Sequence, residues 1–260
     1  MKKILLVEGN LKEANQEFTE NGIKTHTESL QESISYYTNN LEIDSVNPSS
    51  DKDIFDKVKD LNKYEGLIWG GSSLNIYSDT KEIRRQIEFM KECQKRIKNI
   101  LAICWGMQVA VTAAGGVVNR GKNGAHRGIA HEIVINSDGL NHPIYKDKNK
   151  IFNTPAFNYD EVVTLPKDAI LLSSNKVNNV MALNFETEFS KIWGIQYHPE
   201  ITYEKMITLI KFRRERLLEN KSFSDEKDLE SHISMIENEN KITKKESRMR
   251  ELKNWLDLIA

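Results

Sequence analysis

Three side chains in this sequence can share one piece of chemistry. Cys104 lies in the run Ile103-Cys104-Trp105-Gly106-Met107-Gln108, and 94 residues later the chain reads Tyr197-His198-Pro199-Glu200. A thiol becomes a strong nucleophile once a neighbouring base takes its proton. His198 is such a base, and Glu200 is a carboxylate that can orient an imidazole. Together they read as a nucleophilic triad. Taken alone, Cys104 is equally well a buried structural cysteine, because a free thiol packs like a small hydrophobe.

A nucleophile needs an element that exposes it. Ile100–Ile103 reads as a strand that runs straight into Cys104. Ala102-Ile103-Cys104-Trp105-Gly106 then fits the small-x-nucleophile-x-Gly pattern of a strand-to-helix elbow. Small residues at 102 and 106 let the helix approach the strand. The Trp105 N–H then points where an oxyanion would form, and the helix N-terminus favours a thiolate.

The rest of the N-terminal half supplies the frame. Lys3–Val7, Ile43–Val46 and Gly66–Trp69 are short apolar runs that read as strands. Helical stretches alternate with them. Leu30, Ile34, Tyr37 and Leu41 share one face, a second stretch spans about Asp51 to Leu61, and a third, Thr80–Cys93, carries Ile83, Ile87 and Met90. This alternation predicts an α/β fold, an open and mostly parallel sheet with helices on both faces. From Gly115 onward short β-type runs dominate: Ile129–Ile135, Glu161–Leu165, Ala169–Leu172, Val180–Phe185 and Lys191–Gln196. They predict an antiparallel extension whose last strand delivers His198.

Residues 201–260 hold 25 charged residues of 60, against 50 of 200 before them, and no Gly or Pro. That composition predicts continuous helices over Tyr203–Asn220 and Asp225–Asn238. Thr243-Lys244-Lys245-Glu246 matches a capping box for a third helix ending near Ile259. On it Met249, Leu252, Trp255, Leu256 and Ile259 share a face. That face either packs on the protein's own domain or forms a docking or dimerisation surface.

Composition narrows the classes. The chain of 260 residues is 39% hydrophobic, with 37 basic and 38 acidic residues and a net charge of −1. Nothing in that balance points to nucleic acid or an acidic membrane surface. The N-terminus is charged too early for a signal peptide, and no apolar run reaches membrane-spanning length. Cys93 and Cys104 are the two cysteines, so no disulfide framework is expected. The expectation is a reduced, cytoplasmic protein. No cofactor or nucleotide-binding loop is read in the chain. His126 and His131 with Glu132 could ligate a metal, but their spacing fits no known metal pattern, and a surface loop with no metal is expected. Arg127 reads as a solvated loop residue and Cys93 as inert. His26 is structural or gates substrate. Glu8-Gly9-Asn10 follows the first strand, where open α/β sheets gather ligands.

The Cys104 run, the later Gly194-Ile195-Gln196-Tyr197-His198-Pro199-Glu200 and the earlier Gly70-Gly71-Ser72-Ser73 resemble the class I, triad-type glutamine amidotransferases. The likeness is to the stand-alone branch similar to the amidotransferase domain of GMP synthetase, with its flavodoxin-like fold. It covers about residues 1–215, leaving 216–260 as a helical extension. The resemblance implies that Cys104 attacks a γ-carboxamide to form a γ-glutamyl thioester, that His198 moves the proton and that Glu200 orients His198. It implies oxyanion contacts from the backbone of Gly71 and Trp105. It also implies substrate contacts from Gln108, Gly70 and the segment Phe157-Asn158-Tyr159-Asp160, whose backbone would grip the α-carboxylate. Three departures stand out. Ser72 replaces the usual proline, Phe157-Asn158-Tyr159-Asp160 replaces Ser-His-x-Asp, and His126-Arg127-Gly128 replaces Glu-x-Gly.

Three functions follow as expectations. The first is a glutaminase that hydrolyses L-glutamine and hands ammonia to a separate synthetase partner. The second is a stand-alone hydrolase of a γ-glutamyl amide other than glutamine. The third is a non-catalytic regulatory protein of the same fold. The C-terminal helices would be the place for a synthetase, or for a second copy, to dock.

Overall fold

Alternation of buried side chains along the first strands shows how this protein builds a core on two faces. The computed structural model describes residues 1–259. Ile4 and Leu6 join one apolar cluster, and Leu5 and Val7 the other. Ile68 against Leu67 and Trp69, and Leu101 and Ile103 against Ile100 and Ala102, repeat the pattern. A strand places successive side chains on opposite faces, so these strands are buried from both sides.

The N-terminal half runs β1 (Lys2–Val7), α1 (Lys12–Glu20), α2 (His26–Tyr37), β2 (Leu41–Val46), α3 (Ile54–Lys57), β3 (Gly66–Trp69), α4 (Lys81–Arg96), β4 (Asn99–Ile103) and α5 (Trp105–Ala113). The second half adds β5 (Val117–Arg120), β6 (His126–Arg127), β7 (Ala130–Ile135), α6 (Ser137–Asn141), β8 (Ile151–Thr154), β9 (Phe157–Asn158), β10 (Asp160–Thr164), β11 (Ile170–Ser174), β12 (Ala182–Glu186) and β13 (Lys191–Ile195). The tail is α7 (Tyr203–Phe212), α8 (Arg214–Glu219), α9 (Glu226–Ile242), α10 (Lys245–Arg248) and α11 (Arg250–Ile259).

The main sheet has nine strands in the order β2-β1-β3-β4-β13-β12-β11-β7-β8. Pairing is parallel from β2 through β13 and antiparallel beyond it. The expected α/β sheet with an antiparallel extension is what forms. Two small ribbons, β5–β10 and β6–β9, stand apart from it. β4 and β13 lie side by side, Ile103 opposite Ile195, so the segments that follow them emerge together.

Helices α4 and α5 cover one face through residues such as Phe89, Met90 and Val109. Helices α2 and α11 cover the other through Leu30, Ile34, Leu252, Trp255 and Ile259. The apolar stripe of the last helix is thus consumed inside the chain.

Several local expectations need correction. The stretch Asp51–Leu61 contains only the short α3, because Asp53 makes no side-chain cap and Val58 leaves helical space at φ −113° and ψ 65°. Leu41 opens β2 rather than extending the helix face. Tyr203–Asn220 breaks at Arg213 (φ −97°, ψ 12°) into α7 and α8. Thr243 builds no capping box: its hydroxyl donates to Glu239 Oε1 (3.0 Å), and Lys244 takes the N-cap position. Helix α1 was not anticipated, because Phe18 is its one fully buried residue and leaves no apolar period to read.

Candidate active site

Cys104 sits where β4 turns into α5, with φ 53° and ψ −105°. A non-glycine residue rarely adopts that conformation, and it persists only where the surroundings hold it. Here the Cys104 N–H donates to Ile195 O (2.7 Å) and the Gly106 N–H to Gly70 O (3.1 Å). Gly106 has no room to be anything larger, since a Cβ there would lie 2.3 Å from Trp69 O. The elbow is therefore fixed by β13 on one side and by the segment after β3 on the other.

His198 and Glu200 follow β13. His198 Nδ1 contacts Glu200 Oε1 at 2.8 Å, and both side chains are almost wholly inaccessible. Burial alone would depress the His198 pKa. The negative charges of Glu200 and then Cys104, with hydrogen bonds to both, override it and push the pKa up to about 10. Gln196 Nε2 reaches Cys104 Sγ (3.3 Å), and Gln108 Nε2 reaches Gln196 Oε1 (3.4 Å).

His26, at the start of α2, stacks on His198 with ring centroids 5.4 Å apart. Its Nδ1 lies 4.0 Å from Glu200 Oε1. Burial first, then the positive surroundings of Lys205, His198 and Arg213, push His26 well below its usual pKa. Gly71 lies against both imidazoles. A Cβ at Gly71 would come within 2.5 Å of His26 Cε1 and 2.8 Å of His198 Cε1. His26, His198 and Glu200 form a group with ligand atoms close enough for a metal ion, but His198 Nδ1 is committed to Glu200.

An open cavity of about 660 Å³ leads to Cys104. Trp105, Gln108, Phe157 and Asn158 line it. Gly70 lies behind the elbow with its carbonyl accepting from the Gly106 N–H, and Ser72 and Ser73 stand in the cavity wall. Asp160, Arg213 and Arg216 also line the cavity. Asp160 accepts from Asn75 Nδ2 (2.8 Å) and Tyr77 Oη (3.1 Å).

His126 corrects another expectation. It is buried, not a surface-loop residue, and it contacts Asn158 Oδ1 (2.8 Å) and Asn175 Nδ2 (3.0 Å). It thereby fixes Asn158, whose Nδ2 donates to Asp160 O (2.9 Å). His131 and Glu132 are exposed. Arg127 lies over the Phe223 ring rather than in solvent alone (5.8 Å). Glu8, read as a possible ligand residue, accepts from Thr27 N (3.1 Å) and Thr27 Oγ1 (3.0 Å) and so anchors the start of α2 beside His26.

The tail helices hold the His198 loop. Arg248 Nη1, on α10, donates to Pro199 O and to Ile201 O (2.8 Å), the carbonyls on either side of Glu200. Tyr197 Oη donates to Glu251 Oε1 on α11 (2.8 Å), and Glu251 is paired with Lys148 at 3.0 Å. Nothing in the local sequence around Arg248 or Glu251 signals this, since their partners lie 47 to 103 residues away.

No helix among the described residues is long and apolar enough to cross a membrane. A family model, glutamine amidotransferase class-I, matches residues 22–214. The chain is 29% identical over 219 residues to a γ-glutamyl-L-1-hydroxyisopropylamide hydrolase of Pseudomonas sp, covering 77% of this chain and 74% of that protein. It is 30% identical over 159 residues to γ-glutamyl peptidase 3 of Arabidopsis thaliana, covering 60% and 62%, just under two thirds of that relative's length. A crystal structure of a glutamine amidotransferase from Thermotoga maritima superposes with a TM-score of 0.67 at 18% identity, covering 99% of this chain and 97% of that one. On the family match this chain belongs to the class I glutamine amidotransferases.

Proposed function

We propose that this protein is a γ-glutamyl hydrolase that works without a partner on a γ-glutamyl amide other than glutamine. The observation that carries the chemistry is the Glu200–His198 contact of 2.8 Å beside Cys104 at the end of an open cavity. In this reading the Cys104 sulfur attacks the γ-carbonyl carbon. The carbonyl oxygen becomes an oxyanion that the N–H groups of Trp105 and Gly71 receive. Trp105 is the first residue of α5, where a helix leaves N–H groups without intrahelical partners. His198, protonated and held by Glu200, gives its proton to the nitrogen as the C–N bond breaks and the amine leaves. The γ-glutamyl group remains as a thioester. His198 then takes a proton from water, water attacks the same carbon, and glutamate departs as Cys104 recovers its sulfur.

Asp160 is the carboxylate among the residues that line the cavity, so it would take the α-ammonium of the γ-glutamyl group. The choice of amide is supported by the relatives, which are named for hydrolysis of a γ-glutamyl alkylamide and for γ-glutamyl peptidase activity. The apolar stripe on α11 is packed into the core, so it offers no free apolar face to a partner. The test is turnover by the purified protein alone of a panel of γ-glutamyl amides and of glutamine. Amine release that exceeds ammonia release from glutamine supports the reading. Cleavage of glutamine with the panel left intact returns the protein to the glutaminase reading.

A further inference from the structure

The tail helices place three arginines, Arg213, Arg214 and Arg216, at the α7–α8 junction, and they are not alike. Arg214 is ion-paired with Glu226 and Glu230 on α9. Arg213 and Arg216, on either side of it, have no carboxylate partner among the described residues, and both line the Cys104 cavity. Arg213 is half-buried. Its Nη2 donates to Ser73 Oγ (3.1 Å), and its guanidinium lies 4.8 Å from the centre of the Phe157 ring. A desolvated guanidinium without an anion is costly, and an arriving carboxylate relieves that cost.

The charges that line the cavity can be set against those of candidate substrates. The cavity holds one carboxylate, Asp160, and two guanidiniums. Glutamine and simple γ-glutamyl amines bring one ammonium and one carboxylate. A γ-glutamyl amino acid or peptide brings one ammonium and two carboxylates, the complement of what is there. Family resemblance assigns the α-carboxylate to backbone near 157–160, which leaves the arginines for a second anion.

We infer that the preferred substrates are γ-glutamyl amino acids or peptides whose departing amine carries a free carboxylate, and that Arg213 and Arg216 bind that carboxylate. The inference rests on the γ-glutamyl hydrolase reading and narrows it. It sets this chain apart from the hydrolase of a γ-glutamyl hydroxyalkylamide, whose leaving group has no such charge. Arg213 and Arg216 determine specificity and take no part in moving the proton.

The experiment compares kcat/KM for γ-glutamylalanine, its C-terminal carboxamide and glutamine. A charge-assisted hydrogen bond to a carboxylate predicts that the acid exceeds its carboxamide by about tenfold or more, mostly in KM. In the double variant Arg213→Gln, Arg216→Gln that ratio falls towards one. Arg216→Gln alone, an exposed change that does not threaten folding, lowers the ratio in part. A wild-type ratio near one with both compounds cleaved overturns the inference and leaves the hydrolase reading standing. An equal loss on acid and carboxamide in the double variant also overturns it, because the arginines would then hold the α-carboxylate. If neither γ-glutamyl compound is cleaved while glutamine is, the hydrolase reading itself has failed.

Discussion

Glu200 and His198 do different work and should fail differently. His198 carries the proton, and Glu200 acts through it. His198→Ala is expected to lower kcat by roughly 10²- to 10⁴-fold, and Glu200→Gln by less. Equal losses measured by steady-state kinetics would mean that the carboxylate does more than orient. The charge of Glu200 also sets the protonation of His198. Its folded pKa, about 10, lies above the ordinary value of 6.5, so the pairing stabilises the fold fully below about pH 6.5 and is lost as pH rises through about 10. A ¹⁵N-imidazole titration should show His198 protonated at pH 8, and Glu200→Gln should shift its midpoint down. A midpoint near 6.5 in the wild type would contradict this. The positions of Cys104, His198 and Glu200 could be read from the sequence because each sits in a short local pattern. His126 could not. Its partners Asn158 and Asn175 lie far along the chain, and only the β6–β9 pairing brings Asn158 to it.

The elbow between β4 and α5 carries a local signature, so the sequence shows it openly: Ala102 and Gly106 are small, and Gly106 has no room for a Cβ beside Trp69 O. The His198 loop is the opposite case, since elements from the far end of the chain hold it. Arg248 satisfies the carbonyls of Pro199 and Ile201. Arg248→Met leaves both unpaired in a buried site and frees the peptides around Glu200. The expected result is a fall in kcat of roughly 10- to 100-fold with KM changed far less, because geometry rather than binding is lost. A change in KM alone would show that α10 shapes the substrate site and not the loop. The break at Arg213 could not be anticipated either. No Gly or Pro marks it, and the apolar period of Tyr203–Asn220 runs through it.

The molecule as a whole closes on itself through its last helix. Trp255 is fully buried in the cluster on the second face of the sheet, against Gly66, where a Cβ would lie 2.7 Å from its ring. Trp255→Ala is therefore expected to cost about 3–5 kcal/mol, read as a drop in the urea midpoint. A loss below about 1 kcal/mol would mean that α11 is a detachable appendage and not part of the core. Composition alone marked residues 201–260 as helical but could not say what covers their apolar face. That depended on how much of the sheet the other helices leave bare.

The proposed chemistry passes through an acyl-enzyme at Cys104. The most direct measurement is mass spectrometry of the acid-quenched protein after mixing with a γ-glutamyl amide. A γ-glutamyl adduct is expected on the peptide that carries Cys104, and neither adduct nor product with Cys104→Ala. Product formed by Cys104→Ala at the wild-type rate, with no adduct on the wild-type peptide, would contradict it.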